Sequence, residues 1–139
     1  MDTNILVSYL LTPNRLSPTT VLVGSAFAGE FQLLLPDALL EELCQAITTS
    51  RYLRKRITPH ELMALSTTLL EIAEIIPFIF VEIPALTRDP KDDYLLAYAI
   101  VGQANYLVTG DEDLLALGQV SDLEIVSPRR FLAILREKA

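Results

Sequence analysis

Apolar stretches of the chain are separated by polar residues that are typical of helix starts. Ser17-Pro18 and Thr58-Pro59-His60-Glu61 each place proline in the first helical turn, and the second also has the pattern of a capping box. Asp89-Pro90 and Ser127-Pro128 have a similar arrangement. The predicted helices span about 18–29, 37–48, 59–76, 92–103 and 112–117, with a last one from 128.

Short β-rich runs lie between these helices, at 31–35, 78–83, 106–109 and 123–126. Strands that alternate with helices indicate a parallel sheet that helices cover on both faces. The segment YLLAYAIV within 92–103 is apolar nearly all round, so we expect that helix to be buried. The sequence therefore predicts one α/β domain over residues 1–139, without internal repeats or linkers.

The composition is that of a folded domain with an acidic balance. Of 139 residues, 51% are hydrophobic and 21% charged, and no apolar stretch is long enough to span a membrane. The one cysteine, Cys44, excludes an internal disulfide and suits a reducing compartment, so we expect a cytoplasmic protein. A net charge of −7 argues against passive adhesion to nucleic acid, but not against an enzyme that meets phosphates through bound cations.

Basic residues are concentrated in the segment RYLRKR at 51–56. Two interpretations of this segment stay open: it contacts RNA phosphates, or it is a solvated helix end. The residues concerned are Arg51, Arg54, Lys55 and Arg56.

Acidic residues cluster where predicted strands lead into helices. Asp92 and Asp93 begin one helix, and Asp111 and Asp113 follow the strand YLVT. Asp2 lies at the chain start. Each cluster alone is explained by helix capping, which favours aspartate at the cap and acids in the first turn. In parallel α/β folds, however, such positions gather at one edge of the sheet, where like charges repel unless a cation is bound. A metal site therefore explains the pattern better than capping alone.

The predicted helix at 37–48 offers a further carboxylate. On a helix of 3.6 residues per turn, Glu42 lies about 110° from the centre of the apolar stripe and Glu41 about 150°. We therefore expect Glu42 to border the core and reach the edge of the sheet, and Glu41 to point at water. Carboxylates without sulfur or imidazole ligands suit Mg²⁺ or Mn²⁺, which activate water and stabilise the phosphoryl group under attack.

Four segments together resemble the PIN-domain nucleases. They are DTNILVS at 2–8, LLEEL at 39–43, RDPKDDYLLAYAI at 88–100 and YLVTGDEDLLALG at 106–118, and the similarity continues to IVSPRRFL at 125–132. The closest resemblance is to the branch of toxin components of bacterial toxin–antitoxin systems. The resemblance implies a three-layer α/β/α sandwich around a central parallel sheet, similar to flavodoxin-like and Rossmann-like folds. It also implies a ribonuclease that depends on Mg²⁺ or Mn²⁺.

The resemblance further implies the roles of individual residues. The core acids, which would hold the metal and carry catalysis, are Asp2, Glu42, Asp92 and Asp111. Asp113 would be an auxiliary ligand, and Asp93 stays open as an alternative to Asp92 because the alignment can shift by one residue. Hydrogen bonds that orient these carboxylates would come from Thr3, Asn4 and Thr109.

The start of the chain departs from the family pattern. The family has a short apolar strand before its first aspartate, whereas only Met1 precedes Asp2. Either residues 2–8 serve as that strand, or the first strand is truncated. We expect the second, because Asp-Thr-Asn favours a turn from strand to helix. The 139-residue form would then be less stable and less active than a form with the strand.

Two other functional classes stay open. A haloacid-dehalogenase-like phosphatase is suggested by DTN and TGDEDLL, but Asn4 stands in place of the second Asp of its DxD motif and no suitably placed lysine is evident. The other class is a PIN-like binding module without catalytic activity. Divalent-metal titration would separate the module from an enzyme, and a phosphatase would cleave small phosphoesters but not RNA.

The expected partners are RNA, a small antitoxin protein and further copies of the same chain. The mean hydropathy is +0.38, and a small domain has limited interior in which to bury apolar side chains. We therefore expect a homodimer or higher homo-oligomer that also binds an antitoxin. A well-filled core would account for the same composition.

Overall fold

The structure is a computed structural model that describes residues 1, 3–11, 17–77, 79 and 85–138. Helices and strands are mixed along the chain, which confirms the α/β class. The described helices are α1 (Thr3–Leu11), α2 (Pro18–Phe27), α3 (Leu39–Thr49), α4 (Arg51–Arg56), α5 (Pro59–Ile72), α6 (Pro90–Val101), α7 (Glu112–Leu117) and α8 (Pro128–Lys138). The described strands are β1 (Leu34–Pro36), β2 (Glu74–Ile76), β3 (Tyr106–Val108), β4 (Gln119–Val120) and β5 (Leu123–Val126).

The helix starts follow the capping signals of the sequence. At α2, Thr20 N donates a hydrogen bond to Ser17 Oγ at 3.2 Å. At α5, Glu61 N donates to Thr58 Oγ1 and Thr58 N donates to Glu61 Oε1, both at 3.1 Å, which completes the predicted capping box. Caps of this kind satisfy N–H groups that have no partner within the helix. The predicted starts of these two helices are therefore confirmed.

Residues 74–76, predicted as the end of a long helix, form strand β2 instead. Helix α5 ends at Ile72 because Ala73 has an extended backbone and Glu74 N then donates to Leu33 O, which begins the pairing with β1. The strand predicted at 31–35 begins only at Leu34. The strand predicted at 78–83 falls almost wholly outside the described residues.

The first described element is a helix and not a strand. Residues 3–11 form α1, so the alternative in which residues 2–8 serve as a strand is wrong for the part of that segment that the structure describes. The helical period places Ile5 and Leu6 in the core, where Leu6 is completely buried. Helix α1 contacts α2 and α3, which cover this apolar surface. Asp2 lies outside the described residues.

Within the described residues, the strands form two separate groups. β1 pairs with β2 in parallel, β3 pairs with β5 in parallel, and β4 pairs with β5 in antiparallel orientation. The predicted central parallel sheet is therefore seen only in part. A cavity of about 430 Å³ is lined by residues of both groups, among them Leu34 and Pro36 of β1 and Tyr106 and Val108 of β3. Helices α6 and α8 and the side chain of Met1 also line it.

The apolar core is largest where helices α1, α2, α3, α5 and α8 pack together. A second cluster contains Leu96 of α6, Leu114 of α7 and residues of β3 and β5. Helix α6 is not buried all round as predicted, because Tyr94, Ile100 and Val101 are exposed. The helix contacts β1 and β3, and these three apolar side chains are left outside those contacts. None of the described helices combines the length and apolarity needed to cross a bilayer.

Candidate active site

The N termini of α6 and α7 are joined by an ion pair between distant parts of the sequence. Arg88, just before α6, places its guanidinium Nη2 2.9 Å from Asp113 Oδ1 in the first turn of α7. Both side chains are exposed, at 87% and 52%. The RDPKDD and TGDED segments, which carry the predicted acids, therefore meet at the surface. Arg88 was not identified from the sequence, where its position within RDPKDD was the only signal.

Asp111 is held in a fixed orientation at the start of α7. Its Oδ1 accepts hydrogen bonds from Asp113 N at 2.8 Å and Leu114 N at 3.2 Å, so the carboxylate caps the helix. Asp111 N in turn donates to Thr109 Oγ1 at 3.1 Å. Thr109 is completely buried at the end of β3, where its own N–H donates to Val126 O. The Thr109 hydroxyl thus accepts from the Asp111 backbone, whereas the predicted hydrogen bond from Thr109 to a carboxylate stays a prediction.

Helix α6 begins with three aspartates that have different surroundings. Asp89 is the N-cap, and its Oδ1 accepts a hydrogen bond from Lys91 N at 2.9 Å. Asp92 is half-buried in the first turn. Asp93 is only 7% exposed, and its Oδ1 accepts from Leu86 N at 2.9 Å and Thr87 N at 2.8 Å. Of the two acids in the first turn, Asp92 is therefore nearer to solvent, while one oxygen of Asp93 accepts hydrogen bonds from the preceding loop.

Glu41 and Glu42 both lie in the first turn of α3, and both are exposed. We predicted that Glu42 borders the core and that Glu41 points at water. Because Glu42 is exposed like Glu41, the prediction that it borders the core is wrong. The buried stripe consists of Leu39, Leu43 and Ile47, and Leu40 is half-buried. Glu42 lies about 60° around the helix from Leu39, the buried residue nearest to it on the helix circumference, and its side chain is on the solvent side.

The described residues do not complete a metal site. No group of three acidic, histidine or cysteine side chains within them is placed to hold a cation, so Glu42, Asp92 and Asp111 are not brought into one shell. Asp2, the fourth predicted ligand, lies outside these residues. The donor chemistry that is present, carboxylate oxygens at helix N termini, suits a hard divalent cation. Thr3 is half-buried and Asn4 exposed at the start of α1.

The basic segment forms the separate short helix α4, and its four basic side chains are all exposed. The Arg56 guanidinium carbon lies 3.6 Å from the centroid of the Tyr52 ring, and Arg56 Nη1 donates to Tyr52 O at 3.0 Å. Arg56 is thus packed on its own helix, while Arg51, Arg54 and Lys55 extend toward solvent. Both interpretations of the segment are compatible with this exposure.

The domain presents aspartates where strand β3 and the loop before α6 lead into helices. Comparison with protein families identifies it further, since the model of the PIN domain matches residues 1–113. The chain belongs to the PIN domain family. PIN domains are generally nucleases and generally use divalent metal ions. No curated protein matches the chain.

Proposed function

We propose that the protein is a ribonuclease that depends on Mg²⁺ or Mn²⁺ and hydrolyses RNA to products with a 5′-phosphate and a 3′-hydroxyl. The observation that supports this most directly is the ion pair of Arg88 with Asp113, which joins the helix starts bearing Asp92 and Asp111 in a PIN domain. Aspartates at adjacent helix N termini offer the oxygen ligands that these cations prefer.

In this proposal Asp111 and Asp92 are metal ligands, with Asp2 as the further ligand that the resemblance implies. Glu42, the fourth acid that the resemblance implies, is not brought to Asp92 and Asp111 in the described structure. The cation would supply an activated water and stabilise the charge that develops on the phosphate. Asp111 is preorganised because its Oδ1 is fixed by two backbone N–H groups of α7, which leaves Oδ2 with a defined direction. Thr109 contributes by anchoring the backbone of Asp111 to the end of β3.

Membership of the PIN family favours a nuclease over a haloacid-dehalogenase-like phosphatase. In this proposal the exposed cations of α4, Arg51, Arg54 and Lys55, would contact RNA phosphates. A PIN-like binding module without activity is the remaining alternative. It would bind RNA or protein, and its behaviour would not depend on the acids at the starts of α6 and α7.

The test is Asp111→Asn in an RNA cleavage assay with Mn²⁺. Asparagine caps helices about as well as aspartate, so the fold should be kept while the negative ligand is lost. We expect cleavage to fall by at least about 100-fold, corresponding to about 2.7 kcal/mol of transition-state stabilisation. Asp122→Asn, in the exposed turn between β4 and β5, is the matched control and should leave cleavage unchanged.

Metal removal gives a second measurement on the unmodified protein. EDTA should abolish cleavage, and an excess of Mn²⁺ should restore it. Activity that persists in EDTA, or in Asp111→Asn with its circular dichroism spectrum intact, would contradict the proposed mechanism. Cleavage of small phosphoesters without cleavage of RNA would favour the phosphatase.

We further propose that the protein is the toxin of a toxin–antitoxin pair and forms homo-oligomers. The support is the resemblance of its motifs to that branch and the exposed apolar side chains of α5, Met63 and Leu70, which lie seven residues apart on one helix face. Growth arrest on expression in bacteria, relieved by the product of a neighbouring small gene, is the expected result. A monomer in light scattering at micromolar concentration would count against the oligomer.

A further inference from the structure

Asp93 is a buried carboxylate whose contacts are directed at a loop. It is only 7% exposed, and Asp93 and Thr109 are the buried polar or charged residues of the described chain. A buried carboxylate is unfavourable unless hydrogen bonds compensate for the lost hydration. Asp93 obtains these from the backbone, because Leu86 N and Thr87 N both donate to its Oδ1, at 2.9 and 2.8 Å.

The loop that Asp93 holds is also fixed internally. Thr87 Oγ1 donates to Asp89 O at 2.8 Å, and Asp89 N donates to Thr87 Oγ1 at 3.2 Å. Residues 86–89 are therefore tied to α6 at one end by Asp93 and at the other by the cap that Asp89 forms. Arg88 lies within this segment, so its backbone has little freedom.

Arg88 connects this ordered loop to helix α7. Its guanidinium contacts Asp113, 25 residues further along the chain, in the helix that Asp111 caps. An exposed ion pair contributes little when both side chains must be ordered for it. Here the Arg88 backbone is already ordered by Asp93, so less entropy is lost when the pair forms.

We propose that Asp93 is a positioning residue and not a metal ligand: through residues 86–89 and Arg88 it holds the start of α7, and with it Asp111, beside Asp92. The catalytic consequence rests on the proposed function. The structural coupling between Asp93 and α7 does not depend on the proposed function, and it can be measured without any enzymatic activity.

Two substitutions separate the positioning role from ligation. Asp93→Asn keeps a carbonyl oxygen that can accept both backbone N–H groups, whereas Asp93→Ala removes the acceptor. For a positioning residue, Asp93→Ala should weaken Mn²⁺ binding and lower kcat by about 10–100-fold, the effect typical of residues that orient ligands. Asp93→Asn should restore both to within about threefold. A metal ligand would lose Mn²⁺ binding in both variants.

The coupling itself is read from backbone amides by NMR. Asp93→Ala should shift the amide signals of Asp113 and Leu114, which report the cap of α7, and Arg88→Ala should shift the same signals. The double variant with both substitutions should shift these amide signals no further than either single variant, because Asp93 and Arg88 act along the same chain of contacts. Lys91→Ala, an exposed cation of the same segment, is the control and should leave these signals unchanged.

Each outcome decides the proposal. Unchanged Asp113 and Leu114 amides in Asp93→Ala, or an Asp93→Asn variant that loses Mn²⁺ binding as fully as Asp93→Ala, would overturn it. If Asp93→Ala does not fold, Arg88→Ala must produce the amide shifts by itself, and their absence would overturn the proposal as well. If the amide shifts appear but no variant or wild-type protein cleaves RNA, the positioning role stands and the proposed function fails.

Discussion

The cavity lined by residues of β1 and β3 leads us to predict that an added strand would stabilise the protein. Each of these strands pairs on one side only within the described residues. Glu74 N donates to Leu33 O and Asp37 N donates to Ile76 O, so alternate residues of β1 face β2. The N–H and C=O of Leu34 and the C=O of Pro36 therefore point away from β2, and both residues line the cavity.

The same reasoning applies to the other side of the cavity. Glu124 N donates to Asn105 O and Thr109 N donates to Val126 O, so β3 faces β5 through alternate residues. The backbone groups of Tyr106 and Val108 therefore point away from β5, and both residues line the cavity. An extended segment placed there could pair with both edges and join the two groups of strands into one sheet.

The proposed perturbation is a prefix of about five alternating Val and Ile residues before Met1, which lines the cavity. About six backbone hydrogen bonds at about 1 kcal/mol each would be offset by ordering five residues at about 1.5 kcal/mol each. The net gain then comes from burying about three side chains at about 1.5 kcal/mol each. We expect about 3 kcal/mol in total, or a rise in Tm of about 10 °C.

The assay is thermal unfolding by circular dichroism, with Mn²⁺ titration of the same samples. A Gly-Ser prefix of equal length controls for chain extension, and a Val-Pro prefix controls for hydrophobicity without the N–H donors that pairing requires. The Val-Ile prefix alone should raise Tm and tighten Mn²⁺ binding. Equal Tm for all three prefixes would refute strand addition, and equal Mn²⁺ affinity would show that the strand does not affect the site.

Two further predictions concern α6 and its neighbours. Burial, followed by the hydrogen bond that Tyr98 donates to Asp37 Oδ1, raises the pKa of the Tyr98 phenol. The stability from this neutral phenol is thus present below about pH 10 and lost as the pH rises through the raised pKa, so Tyr98→Phe should flatten the alkaline fall in the urea midpoint. Gly102→Ala should destabilise by about 1–3 kcal/mol, because its Cβ would lie 2.8 Å from Cδ1 of the buried Ile76 and 3.2 Å from the backbone oxygen of Tyr98, which cannot move aside as a side chain can. Gly24→Ala, a helical position with nothing within 4 Å, should stabilise by about 0.5–1 kcal/mol, and equal effects at both glycines would contradict the packing argument.

The sequence alone determined those features that depend on contacts within a few residues. Ser17, Thr58 and Asp111 each cap a helix by bonding to N–H groups two or three positions away, so the capping pattern was sufficient to predict the starts of α2, α5 and α7. Strand β5 and helix α7 also have the predicted bounds. The PIN family was recognisable for a related reason, because its motifs coincide with these strand-to-helix junctions.

Tertiary structure decided what depends on residues far apart in the chain. Residues 74–76 leave the predicted helix because β1, about 40 residues earlier, offers backbone partners. Arg88 gained a role only because folding brings it to Asp113, and Asp93 became distinct from Asp92 only because one of the two faces the interior. Burial and pairing are set by the whole packed domain, whereas a cap is set by a single turn of backbone, and this difference separates the features that the sequence predicted from those that it did not.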